Sequence, residues 1–153
     1  MSIAGNICDD VAATITAAAI EIDGVAVSVV SQSLPFPGTY GTVLANQIIV
    51  SPSMANRQTW EIRTQSGDLA MVDTTINIEL IGKASGDINT MAATYDNALD
   101  AIAYAVLNTS DRYGSILKTL VSSSYLSDEA ARKLGIYHAG YQVSLDSGAV
   151  SIL

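Results

Sequence analysis

Between residues 70 and 107 the hydrophobic period changes once, from two to three-and-four, and that change restricts the chain to folds in which helix covers sheet. Residues 70–81 set Ala70, Val72, Thr74, Ile76, Ile78 and Leu80 on one face and Asp73, Thr75, Asn77 and Glu79 on the other, the alternation of a half-buried strand. Residues 89–107 then gather Met91, Tyr95, Ala98, Leu99, Ile102, Ala105 and Val106 into one stripe opposite Asp96, Asp100 and Tyr104, the spacing of an amphipathic helix. Asn89 is placed to cap that helix, Asp87 lies where the helix dipole favours negative charge, and Asn108, Thr109 and Ser110 end the period. One wet strand face and one dry one argue for antiparallel pairing, since strands buried on both sides read as continuous apolar runs. The expected class is α+β: a mainly antiparallel sheet with two main helices packed on one face, in a single domain over residues 1–153.

The remaining segments fit around this frame. Residues 6–19 carry Ile7, Val11, Ile15 and Ala18 at helical spacing, with Asn6 as the expected cap. Residues 20–30 turn to β-branched side chains, broken at Asp23-Gly24. Residues 31–46 form a long loop, because Pro35, Pro37, Gly38 and Gly41 forbid regular structure around Phe36 and Tyr40. It is either a contact arm bearing two exposed aromatics or a plain surface loop. Residues 57–64 alternate, with Trp60 and Ile62 on one face, and the Ser66-Gly67-Asp68 turn predicts a hairpin with 70–81. Residues 111–121 form either a short helix or a turn leading into an edge strand, and 127–135 a helix stopped by Gly135. Residues 137–145 alternate as a final strand, leaving 147–153 as a carboxyl-terminal tail.

Chemistry is sparse. His138 stands alone in an alternating strand and reads as an ordinary strand residue, and Cys8 has no neighbouring base, so it reads as a small buried side chain. Metal-ligand spacing, phosphate-binding glycine loops and nucleophile elbows are missing, so no catalytic, cofactor-binding or metal-binding residue is assigned and the chain is read as a non-enzyme. Seven Lys and Arg against 15 Asp and Glu give a formal charge of −8 with no basic run, which argues against tight nucleic-acid binding. Hydrophobic residues make up 49% and charged residues 14%, a low charge density that points to surface covered by other subunits. The amino terminus lacks a basic segment and the run 11–20 is too short to span a bilayer, so a cytoplasmic product without membrane contact is expected.

The element order is a helix, strands with a long Pro/Gly loop, the hairpin 57–81, the helix 89–107 and a last strand. Together with the size and acidic balance, it resembles the tail-terminator proteins of long-tailed bacteriophages and their relatives in the head-to-tail neck. The resemblance covers residues 6–145 and departs at 111–135, a region longer than the simplest version of the pattern requires; a further neck or tail-tube ring protein is the nearest alternative, and a small non-viral binding module the next. It implies a structural subunit of a homo-oligomeric ring, commonly a hexamer, assembled in the host cytoplasm. In the virion, such a ring caps the tail tube, meets other tail and neck proteins, and lets DNA pass without tight binding. On that reading Phe36, Tyr40, Val150, Ile152 and Leu153 are interface residues, and Asp68, Asp73 and Glu79 face the lumen, where carboxylates would repel phosphates. Asp96 and Asp100 are weaker acidic candidates that would instead meet Arg or Lys on a neighbour.

Overall fold

A computed structural model describes residues 2–62, 64–108 and 116–151. It contains the expected α+β arrangement. Helix α1 (Ile3–Ala17) is followed by a β1 (Glu21–Ile22) and β2 (Val25–Ala26) hairpin, then β3 (Ser28–Ser31), β4 (Gln47–Pro52), β5 (Gln58–Ile62) and β6 (Leu69–Lys83). Helix α2 (Ile88–Asn108), β7 (Ile116–Ser124), α3 (Asp128–Leu134) and β8 (Ile136–Ser151) complete the order. The main sheet runs β3-β4-β6-β8-β7, with β5 paired to the first part of β6; every pairing is antiparallel except β3 with β4.

Both long helices cover one face, as the alternation in β6 requires. Ile7, Val11 and Ile15 of α1 and Tyr95, Ala98, Ile102 and Val106 of α2 share a core with Ile76, Ile78 and Leu80 of β6 and Val143 and Leu145 of β8. Helix α1 starts earlier than its apolar spacing indicated: Ser2, not Asn6, is the cap, its hydroxyl accepting from the Gly5 N–H at 2.9 Å. At α2 the capping carboxylate is that of Asp87, which accepts from the Asn89 N–H. Asp23 and Gly24 both take positive φ (53° and 75°), the geometry that a two-residue hairpin turn between β1 and β2 demands. The Trp60 hairpin forms as expected, with Trp60 opposite Val72 and Ile62 opposite Ala70.

At two boundaries the structure decides: one takes an alternative the sequence left open, and one differs from the expectation. The region before α3 supplies the edge strand β7, while residues 109–115 lie outside the described residues. The carboxyl-terminal tail is strand through Ser151: Val150 pairs with Ala70 inside the same sheet, and is therefore not a free arm. The period is hidden at Asp146-Ser147-Gly148, where Gly148 (φ 73°) accompanies a register shift against β6, so that one extra residue is absorbed as a bulge and the alternation resumes out of phase. Ile152 and Leu153 lie outside the described residues.

The sheet's other face is covered at one end only. Between β3 and β4 the chain passes over it, and Phe36 and Tyr40 pack with Val43, Ile49, Ile81, Ile136 and Leu126 into a second, smaller core. Both aromatics are half-buried, which corrects their assignment as exposed contact residues. Strand β6 is consequently alternating from Leu69 to Ile78 and buried on both faces from Ile78 to Gly82.

Gly140 sits where β8 lies tight against the β6 backbone: a methyl group there would fall inside the contact radius of the Ile78 carbonyl oxygen, a backbone atom with no room to yield. Gly140→Ala should cost about 3 kcal/mol or more, whereas Gly86→Ala, with open space around it, should stay within about 0.5 kcal/mol of the parent in urea denaturation.

Candidate functional site

The second core has a polar centre assembled from three parts of the chain. Glu79 of β6 faces Gly140 across the pair, so no side chain opposes it, and its carboxylate reaches His138, two residues before Gly140 in β8. His138 Nε2 lies 2.9 Å from Glu79 Oε1, and Tyr40 Oη lies 2.6 Å from His138 Nδ1. The Phe36 N–H donates to Glu79 Oε2 at 3.1 Å. The Tyr125 ring stacks on the imidazole at 4.3 Å, and Phe36 meets it edge-on at 5.4 Å. Glu79 and His138 are 2% and 5% exposed, deep enough that an unmet hydrogen bond would be costly.

The donor and acceptor inventory fixes what this cluster can do. With a neutral imidazole, Nε2–H donates to Glu79, Nδ1 accepts from the Tyr40 hydroxyl, and the second carboxylate oxygen takes the Phe36 N–H. Both ring nitrogens are thereby occupied, leaving no free base aimed at a substrate. Burial, with the Glu79 carboxylate second, pushes the Tyr40 phenol upward, which keeps it protonated rather than nucleophilic. The network acts as a latch that holds residues 36–40 against the sheet. Beside it a cleft of about 570 Å3 opens, lined by Phe36, Met54, Asn77, Val121, Tyr125 and Gln142 among others.

The three lumen acids do not form one stripe. Glu79 is enclosed, because the loop covers the very end of the face on which it lies. Asp73 stays on the open part, paired with Lys118 at 3.1 Å, and shares that region with Asp146 and Glu61. Asp68 sits in the hairpin turn, where the Ser66 and Thr64 hydroxyls donate to it and hold its carboxyl below the usual range. Asp96 accepts from the Tyr137 hydroxyl at 2.6 Å, an internal partner rather than a neighbour's cation. Among the described residues no group of three or more His, Cys, Asp or Glu side chains is placed to hold a metal, and no helix is long and apolar enough to cross a membrane.

A second surface was visible in sequence only as a strand face. Trp60 and Ile62 share their side of the sheet with Val72 and Ala70, the side that α1 and α2 cover elsewhere. On β5 they remain 50% and 64% exposed. Phe36, Tyr40 and Val150 thus turn inward or into the sheet, whereas Trp60 and Ile62 are exposed side by side on the face that the helices bury elsewhere. The signal for the latch was present but faint: Glu79 interrupts the apolar run Ile78, Leu80, Ile81. No family model matches the sequence, and no curated protein matches it.

Two outcomes test the latch. Glu79→Ala strands the His138 and Phe36 donors and should cost about 1–3 kcal/mol for each, with faster hydrogen exchange at residues 36–43; Tyr40→Phe should cost only about 1 kcal/mol. Burial also raises the phenols of Tyr40, Tyr125 and Tyr137 above the ordinary 10.0, at Tyr137 with help from Asp96. The unfolded chain then loses these protons first, so their stabilisation is complete below pH 10 and lost as pH rises through the folded values. The melting temperature should fall above pH 10, less steeply in Tyr137→Phe.

Proposed function

We propose that the chain is a structural subunit of a homo-oligomeric ring at the head-to-tail junction of a long-tailed bacteriophage, of the tail-terminator kind. The observation that carries the reading is the Trp60 and Ile62 surface, an uncovered continuation of the face that the helices bury elsewhere. Half-exposed tryptophan at the margin of a sheet is what an interface needs, since aromatic anchors supply most of the contact energy once water is excluded. Low charge density supports association, and the occupied nitrogens of His138 favour a structural over a catalytic use of the only histidine.

On this reading the opposite, open part of the sheet faces the passage. Glu61, Asp73 and Asp146 gather there with Lys118, an excess of acid that would keep duplex DNA from adhering. Another neck or tail-tube ring would use the same two surfaces with different neighbours. A small binding module is favoured by one observation alone, the 570 Å3 cleft beside Tyr125, whose volume is in the range of ligand sites.

Light scattering and negative-stain microscopy separate these readings: a closed ring supports the proposal, and a strict monomer at high micromolar concentration removes it. Trp60→Lys with Ile62→Lys should shift assembly to at least about tenfold higher concentration, the effect of losing about 1.4 kcal/mol, while leaving the monomer's circular dichroism unchanged. Purified rings should not retain duplex DNA at low salt; firm, salt-sensitive retention would contradict an acidic passage.

A further inference from the structure

The two outermost strands of the sheet are both left open, and their lack of guarding is uneven. Among the described residues, strand β7 pairs only with β8, and β3 only with β4. Exposed strand edges invite pairing with another chain, and proteins block them with charge, proline or bulges. The first half of β7 is blocked in this way: its one charged residue, Lys118, lies there, and the register shifts between Leu117 and Thr119. Lys118 is also drawn across the sheet to Asp73. From Leu120 to Ser124 there is no charge, proline or bulge, and Val121 is 56% exposed. Strand β3, Ser-Val-Val-Ser, is equally bare, with Val30 41% exposed. In a chain of net charge −8, two uncharged edges on opposite sides of one sheet stand out.

Their levels and directions match. The pairings place Ser123 opposite Gly140, Gly140 opposite Glu79, Glu79 opposite Ile49 and Ile49 opposite Val30, so Ser123 and Val30 end one line across the sheet, with side chains on the same face. β7 runs parallel to β6, whereas β3 and β4 run the other way. Two copies set side by side in the same orientation therefore present β7 and β3 antiparallel and in step.

We propose that each copy adds the Leu120–Ser124 edge of β7 to the β3 edge of the next copy, making the sheet continuous from subunit to subunit. The contact is head-to-tail, the kind that closes into a ring when the rotation between copies is right. Trp60 and Ile62 lie at the same margin, on β5, one strand nearer the centre than β3, so the same placement brings the neighbour's β7 toward them. This inference rests on the ring reading and names its lateral interface.

Cysteines test it directly. The doubly substituted Val30→Cys/Ser123→Cys chain, mildly oxidised, should give a ladder of covalent oligomers ending at the subunit number found by light scattering. Four strand spacings, about 19 Å, separate the two positions within one chain, far beyond disulfide reach. Cys8 is buried with its thiol pushed up to about 12, and does not compete. Each single variant should stay unlinked, because a head-to-tail contact never brings a position against itself. Rings without a ladder from Val30→Cys combined with cysteine at either 123 or 121 would overturn the edge contact and leave the ring standing. Dimers from Ser123→Cys alone would overturn it in favour of a two-fold contact, and a chain monomeric at high micromolar concentration would remove both the contact and the ring.

Discussion

Strands β3 and β4 run parallel, and a parallel pair cannot be closed by a tight turn: the chain must leave the sheet, cross a face and return. Residues 32–46 make that crossing with a single 3-10 turn, Tyr40–Thr42, to satisfy their own polar groups, so the loop needs anchoring points on the sheet. Phe36 and Tyr40 supply apolar contact with Ile49 and Ile81, and Glu79 and His138 supply acceptors and donors beneath them. The buried acid, the buried histidine and the double burial at the end of β6 all follow from this one topological requirement. The absence of a side chain at Gly140 has a separate cause, the close approach of the β6 backbone at Ile78.

Segments with many repeats of one period were legible in the sequence. Helix α2, the alternation of β6, the Trp60 hairpin and the Ser127 and Gly135 ends of α3 all follow from local patterning that tertiary contacts reinforce. What escaped was set by partners distant in sequence. Nothing in Ser28–Ser31 distinguishes a parallel neighbour from an antiparallel one, and the bulge at Gly148 made a continuing strand read as a tail. Glu79 occupies a position whose parity says solvent, and only the crossing loop, 43 residues away in the chain, makes it interior. The site was hidden for the same reason: Tyr40, Glu79 and His138 belong to three segments, and each taken alone looks ordinary.

The two faces of the sheet divide their tasks. One is dry and helix-covered until it runs out at β5; the other is latched at one end and acidic at the other. On the ring reading proposed above, a subunit organised in this way would have separate surfaces for a copy of itself and for whatever passes in front of it.

Trp60 is the chain's single tryptophan, and it stands half out of the protein at the sheet's margin instead of inside either core. Its emission therefore follows the solvent at that margin. Loss of the main core, whose aromatic members are Tyr95, Tyr137 and Tyr141, will move tryptophan fluorescence less than it would that of a buried indole, while the approach of another surface will move it to shorter wavelength. In this molecule the usual optical signature of unfolding becomes a signature of company.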